Sequence, residues 1–168
     1  MHMKDAIKFA LAVSNGSVLS VIDEMSGAAT TFPTPNGGCH PLWVLGHLTL
    51  VEGMIPTALF AEKNPAAEWQ QYFGENSEAV ADAGAYPPFA EVREKYLQLR
   101  ERNLAILESL SEADLDKPTL SPPEGREREF ATYGQSFLVL ALHQTMHRGN
   151  LTDARRAVGR TVLAARAA

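Results

Sequence analysis

The chain has 168 residues, 45% of them hydrophobic and 21% charged, and a formal net charge of −5 at pH 7. This size and composition suit one soluble domain, residues 1 to 168, rather than two. Phosphate affinity rests on clustered lysines and arginines, and no such cluster paired with aromatic residues is present, so we expect no nucleic-acid partner.

The sequence also bears on the compartment. No window approaches the roughly eighteen continuous apolar residues of a membrane span, and the start MHMKDAIKFA has an early acid and no cleavable signal pattern. We therefore expect a cytoplasmic protein with no membrane partner. Cys39 is the single cysteine, which excludes an intrachain disulfide and a thiolate metal cage. A bound metal would need nitrogen or oxygen ligands.

Two helices are predicted in the first third of the chain. Apolar or small residues recur every three or four positions over residues 3 to 26, the pattern of a helix packed lengthwise on others. Gly27 should end this helix. Pro41 suits the first turn of a second helix, where its missing N–H costs nothing, and Pro56 should kink or end that helix.

A long connection, residues 60 to 88, follows, with a short predicted helix at residues 65 to 73. A connection of this length is usually a crossover, a lid or both. Its aromatic residues Trp69, Tyr72 and Phe73 either line a pocket mouth or anchor the loop to the core. We expect them to anchor the loop.

The third and fourth helices have clear signals. An unbroken three-four spacing predicts a helix over residues 89 to 110, in which Asn103 either fixes the register or reaches a polar pocket. Ser111 to Asp114 and Thr132 to Gln135 match the capping box, the second placing the start of the last helix near residue 133. The predicted fold class is all-α: four long amphipathic helices in a four-helix bundle, with a long crossover connection between helices 2 and 3.

His143 and His147 lie four residues apart in HQTMHRGN, on the row of the fourth helix that should face the core. At about 100° per residue they share one face, about 6 Å apart along the axis, so they can bind one metal ion. His47 interrupts an apolar row of the second helix and must find a partner, which could also be a backbone carbonyl. The adjacent Gly46 indicates close approach of another backbone or of a ligand. His40 precedes Pro41, should face solvent and is not predicted as a ligand.

Three imidazoles, those of His47, His143 and His147, would suit divalent zinc, nickel or iron and leave one coordination position open. With no carboxylate ligand, the ion should be a strong Lewis acid. Gln144 stands where the H-E-x-x-H motif has its glutamate, and the chain contains no Glu-x-x-His. Zincin-type proteolysis and a ferritin-like di-iron centre are therefore excluded.

Three blocks of sequence, WVLGH at 43 to 47, LESLSEADLDKP at 107 to 118 and HQTMHRGNLTDARRAVGR at 143 to 160, resemble the DinB-like superfamily of metalloenzymes. The resemblance implies a four-helix bundle with a long crossover, a divalent metal on His47, His143 and His147, and a homodimer. Characterised relatives include transferases and isomerases that use low-molecular-weight thiols such as bacillithiol or mycothiol. Asn150 stands where members often carry glutamine.

Three functions remain open. The favoured one is a metal-dependent, thiol-dependent S-transferase acting on a small-molecule substrate in detoxification, with a low-molecular-weight thiol as cofactor. The second is a metal-dependent hydrolase in which Glu52 or Asp153 serves as base. The third is a non-catalytic, stress-induced metal-binding or interaction protein, which ranks lower because structural metal sites usually close with four ligands.

Overall fold

A computed structural model describes residues 2–25, 30–31 and 38–159, and within these ranges the chain is helical with no strand. The predicted all-α class is confirmed. The predicted end of the first helix at Gly27 lies outside the described residues. The α-helices are α1 (Met3–Glu24), α2 (Pro41–Glu52), α3 (Met54–Phe60), α4 (Gln70–Phe73), α5 (Phe89–Ser109) and α6 (Tyr133–Ala157), and 3-10 turns lie at Ala67–Trp69, Ala83–Ala85 and Glu112–Asp116.

Local capping signals placed the helix starts correctly. Helix α2 begins at Pro41, as predicted from the proline that suits a first turn. Thr132 accepts from the backbone of Gln135 while the Gln135 side chain accepts from the backbone of Thr132, and α6 starts directly after this capping box. The Ser111 capping box also forms, and it opens the turn Glu112–Asp116.

The second helix breaks at Gly53, one turn before Pro56, and resumes as α3, in agreement with the prediction that Pro56 kinks or ends it. A proline offers no N–H to the carbonyl four residues earlier, here that of Glu52, and its ring crowds that carbonyl. The break therefore comes directly after Glu52. The side-chain amide of Asn103 donates to the freed carbonyl oxygen at 2.9 Å.

Helices α1 and α6 run parallel to each other. Near their middle, Ser14 Oγ donates to Gln144 Oε1 at 2.7 Å across 130 positions of sequence. Near their ends, Arg155 Nη1 donates to Glu24 Oε2 at 2.6 Å across 131 positions. The nearly constant offset shows that the two helices stay in register along their length.

The other long helices run opposite to this pair. The Tyr133 hydroxyl at the start of α6 donates to the carbonyl of Leu59 at the end of α3, at 3.0 Å. On the α1 side, Lys4 Nζ reaches the carbonyl of Glu108 at 2.5 Å. Contacts between the start of α1 and the end of α5, and between the end of α3 and the start of α6, show antiparallel packing.

Helix α2 is buried on all sides, and each of its 12 residues lies in the interior. The expectation that every long helix is amphipathic was therefore wrong for α2, which α5, α6 and the connection cover together.

By length and composition alone, Met3–Glu24 and Pro41–Phe60 could each cross a membrane, at a mean hydropathy of 1.3. This is weak evidence, because a buried core helix passes the same test, and 89% of the Pro41–Phe60 window is buried inside the protein.

A layer of buried polar side chains separates two apolar clusters of the described residues. Arg100 Nη2 donates to Glu52 Oε1 at 2.5 Å, and Asn103 Nδ2 donates to Glu52 Oε2 at 2.7 Å. Gln144 Nε2 donates to Glu52 Oε1 at 2.9 Å, which joins α6 to the same carboxylate. Asn103 thus links α5 to the end of α2, and its side-chain amide binds Glu52 rather than the histidines.

Candidate metal centre

The structure brings together the three histidines that the sequence predicted as ligands. His47 comes from α2, and His143 and His147 come from successive turns of α6. One nitrogen from each ring lies within 4.8 Å of the corresponding nitrogens of the other two rings. His143 Nε2 is 3.4 Å from His47 Nε2 and 3.2 Å from His147 Nε2. The three Nε2 atoms therefore converge on one point between the two helices.

These separations fit a shared metal ion. Two nitrogens bound at about 2.05 Å with a tetrahedral angle between them lie about 3.3 Å apart. The separations of 3.4 and 3.2 Å from His143 Nε2 lie on either side of that value. The residues present could hold a divalent ion.

The backbone of the long connection fixes the orientation of His47. Its Nδ1 lies 2.8 Å from the carbonyl oxygen of Phe73. A carbonyl only accepts, so Nδ1 carries the proton and donates, and the Nε2 lone pair is left for a metal. Trp43, one turn earlier on α2, stacks on the same ring with centroids 4.9 Å apart and planes 8° apart. The imidazole is thus held before any ion arrives.

Gly46 makes room for the Phe73 contact. A Cβ at position 46 would lie 2.4 Å from the ring atoms of Phe73, a distance that no real Cβ tolerates. A close approach at Gly46 is confirmed, but the approaching group is the aromatic side chain of Phe73 and not the backbone or ligand that was predicted. Phe73 and Trp69 are both buried in the core, so they anchor the connection as expected.

The surroundings of the three histidines lower their pKa values and so favour the neutral imidazole, the form that binds a metal ion. Burial, followed by the charges of the neighbouring His147 and His47 and of Arg126, lowers the pKa of His143 to about 3. Burial, followed by the charge of His47, lowers the pKa of His147 to about 4. Burial also lowers the pKa of His47, against the opposing effect of the Phe73 carbonyl.

His143 and His147 are only half-buried, so solvent reaches part of the side of the site that they form. Their Nδ1 atoms are buried and have no hydrogen-bond partner among the described residues, unlike Nδ1 of His47. Arg126 and Glu75 form an ion pair whose two charges act on His47, and Arg126 also acts on His143. Two exposed loops therefore contribute charges that act on the histidines, in addition to the larger effect of burial.

The other histidine near α2 does not belong to the cluster. The prediction that His40 faces solvent was wrong, since this side chain is buried. Its Nδ1 accepts from the backbone N–H of Trp43 at 3.1 Å, and its Nε2 donates to the carbonyl of Val80 at 2.9 Å. His40 is the N-cap of α2, as its sequence position indicated, and residues of the connection cover it.

The two carboxylates considered as hydrolytic bases serve other roles. Glu52 is buried in the polar layer, where Arg100, Asn103 and Gln144 bind its carboxylate. Asp153 lies on the exposed side of α6 and pairs with Arg156 at 3.1 Å. Neither belongs to the group of side chains positioned to hold a metal.

Sequence reasoning missed four groups around the histidines. Trp43 had a usable signal, because a residue four positions before His47 lies on the same helix face. The Phe73 carbonyl had none, since every residue carries a backbone acceptor. Arg126 and Glu75 lie in loops that were assigned no partner, and only the folded chain brings them together.

The fold and the site define an all-α protein with a three-histidine cluster, partly reached by solvent, that could hold a divalent metal. The family model of the DinB superfamily matches residues 10–151, a range that includes all three histidines. The chain belongs to the DinB superfamily. A comparison with curated proteins gave no significant match.

Proposed function

We propose that His47, His143 and His147 bind one divalent metal ion and that the protein is a metal-dependent enzyme. The separations of 3.4 and 3.2 Å between Nε2 atoms are the observation that carries this proposal. Neutral nitrogen ligands in this arrangement suit zinc, nickel or ferrous iron. The chain supplies three ligands and partial access to solvent, which is the pattern of a catalytic site rather than of a closed structural one.

The reaction that these features support best is transfer of a low-molecular-weight thiol to a small electrophilic substrate. When bound, the ion would supply Lewis acidity that lowers the pKa of a thiol or water at its open position. The protein would contribute orientation: Phe73 and Trp43 hold His47, and the buried α2 holds the ring against α6. Such a reaction needs no nucleophile from the protein, in keeping with a single cysteine outside the cluster.

Thiol transfer is preferred over hydrolysis because neither carboxylate considered as a general base is free to act as one. A hydrolase needs a general base within hydrogen-bond reach of the attacking water. Glu52 is fully engaged in the polar layer, and Asp153 pairs with Arg156 at the surface. A non-catalytic metal site would be supported by a fourth ligand from the protein, and the group formed by residues that the structure describes has three.

We further propose that α1, α2–α3, α5 and α6 form a four-helix bundle with a crossover between α2 and α5. Helix α1 is parallel to α6, and α2–α3 and α5 run the opposite way. Neighbours that run in the same direction need a connection that returns the full length of the bundle. The connection between α3 and α5 has this role in the proposal. We also propose that the protein acts in the cytoplasm, because low-molecular-weight thiols are kept reduced there.

The test is metal analysis followed by thiol titration. Purified protein should hold about one divalent ion per chain, and His47→Ala, His143→Ala and His147→Ala should each lose it under dialysis. Protein loaded with cobalt should then develop a sulfur-to-metal charge-transfer band when a small thiol is added. Full metal occupancy in His47→Ala would refute the three-histidine site. An unchanged spectrum across a panel of thiols would refute thiol transfer while leaving the metal site intact.

A further inference from the structure

Gln144 follows the metal ligand His143 directly on α6, yet its side chain faces a different part of the protein. Successive residues lie about 100° apart around a helix. Whereas His143 and His147 face His47, Gln144 lies in the core with 1% of its surface exposed. A buried amide is tolerated where its donors and its acceptor are bonded.

The amide of Gln144 is bonded to three different helices. Its Nε2 donates to Glu52 Oε1 of α2 at 2.9 Å and to the Tyr96 hydroxyl of α5 at 2.9 Å. Its Oε1 accepts from Ser14 Oγ of α1 at 2.7 Å. Both amide N–H groups and the amide oxygen are therefore used, and one side chain joins α6 to α1, α2 and α5.

These partners explain why position 144 carries an amide. The Glu52 carboxylate already accepts from Arg100 and Asn103, so a side chain that faces it from α6 must donate. The Ser14 hydroxyl donates at 2.7 Å, so the same side chain must also accept. A glutamate, which the H-E-x-x-H motif has here, would place a second carboxylate against Glu52, and the two like charges would repel. Glutamine satisfies both requirements.

We propose that Gln144 is a positioning residue for the metal centre, one that sets the rotation of α6 relative to α2. The inference rests on the proposed metal binding by His47, His143 and His147. Glu52 and His47 both belong to α2, five positions apart. The bond from Gln144 to Glu52 and the approach of the α6 histidines to His47 therefore join the same two helices.

A rotation of α6 would change one separation in the cluster more than another. An imidazole nitrogen lies well outside the Cα radius of about 2.3 Å, so a rotation of about 10° moves it by roughly 1 Å. The separation of 3.2 Å between His143 and His147 would survive, because both rings are on α6. The separation of 3.4 Å between His143 and His47 would not. Binding groups must be held within about 0.5 Å of their productive positions, so such a rotation would remove His47 from the ligand set.

Gln144→Met tests this role, because methionine keeps the length of the side chain and removes its donors and its acceptor. Each former partner retains another hydrogen bond: Glu52 from Asn103, Tyr96 to Asn15, and Ser14 to Leu11. The variant should therefore fold. The parent protein should take up about one cobalt(II) ion per chain, with the intense visible bands of a tetrahedral ion. In Gln144→Met we expect an affinity lower by about tenfold or more and weaker, shifted bands, because only the two α6 histidines stay in place.

Tyr133→Phe is the matched control, since it also removes a buried hydrogen bond of α6. The Tyr133 hydroxyl donates to the carbonyl of Leu59 at 3.0 Å, ten positions before His143. Both variants should unfold at a lower urea concentration than the parent, but the control should keep the cobalt affinity and spectrum of the parent. If Gln144→Met fails to fold, Tyr96→Phe removes one of the two acceptors of the Gln144 amide and should alter the spectrum in the same direction.

The outcomes distinguish the positioning role from the metal site itself. Parent affinity and parent spectrum in Gln144→Met, or in Tyr96→Phe where it replaces that variant, would overturn the positioning role and leave the three-histidine site intact. An equal loss of affinity in Tyr133→Phe would also overturn it, since general destabilisation would then account for the effect. A parent protein that binds no cobalt would overturn the metal site and the positioning role together.

Discussion

The backbone oxygen of Phe73 accepts the Nδ1–H of His47 at 2.8 Å. The two groups come from different elements, since His47 lies in the buried α2 and Phe73 ends the short helix α4 of the connection. The contact selects the tautomer that presents Nε2 to His143 and His147. In metal sites such partners are important, because an imidazole without one rotates and loses basicity.

Replacing Gly46 by alanine tests this relationship without touching a ligand. The new Cβ would lie 2.4 Å from the Phe73 ring, so Phe73 must shift, and we expect its carbonyl to move away from His47. Loss of such a partner typically weakens metal binding by about 10- to 100-fold. Competition with a chromophoric chelator measures the affinity, and we expect a drop in this range for Gly46→Ala.

Gly149→Ala is the matched control, because Gly149 lies on α6 two residues from His147 and a Cβ there meets nothing within 4 Å. Alanine should leave the metal affinity unchanged and raise the free energy of unfolding by up to about 1 kcal/mol through helix propensity. Equal metal affinity in the two alanine variants would show that the Phe73 contact does not orient His47.

The His40→Ala variant separates helix capping from metal binding. The side chain caps α2 and bonds to Val80, and it does not belong to the metal cluster. We expect unchanged metal content and a free energy of unfolding lower by about 1–2 kcal/mol, the usual cost of removing an N-cap. Metal analysis and urea unfolding of the same preparation provide the two readouts. Loss of metal in a variant that remains folded would contradict this assignment.

Helical spacing predicted the histidine site because it is a local property of the sequence. The i,i+4 pair on α6 and the polar break in the apolar row of α2 both follow from residues close in the chain. The partners of these groups are not local: Glu52 meets Arg100 across 48 positions, and nothing near either residue indicates a buried charge. His40 was expected in solvent because cap positions usually are exposed, and distant residues of the connection cover it.

A double-mutant cycle tests the bond between Asn103 and the carbonyl of Glu52. Asn103→Leu removes the donor from a buried carbonyl that Pro56 cannot satisfy, so we expect a loss of about 1–3 kcal/mol in the free energy of unfolding. In Pro56→Ala the alanine N–H can bond to the same carbonyl. Asn103→Leu should therefore cost less in the Pro56→Ala background than in the parent. Urea unfolding of all four proteins measures this coupling, and strict additivity would argue against the shared carbonyl.

The lowered pKa values of His143 and His147 predict that the metal-free protein loses stability in mild acid. In the unfolded chain these imidazoles take up protons below about pH 6.5, whereas in the folded chain they do so at a pKa of about 3 for His143 and about 4 for His147. Their contribution to stability is therefore complete above about pH 6.5 and falls as the pH is lowered toward the folded pKa values.

Both rings are only half-buried, so solvent screening reduces the effect, and we expect a loss on the order of 2 kcal/mol between pH 7 and pH 5. Urea unfolding of chelator-treated protein at the two pH values measures it. The control is the double variant His143→Asn, His147→Asn, which cannot titrate at these positions and should lose markedly less stability over the same interval. The buried His40 and His47, whose pKa values are also lowered by burial, account for the dependence that remains. An equal loss in parent and double variant would mean that the two α6 histidines are protonated as readily in the folded chain as in the unfolded one.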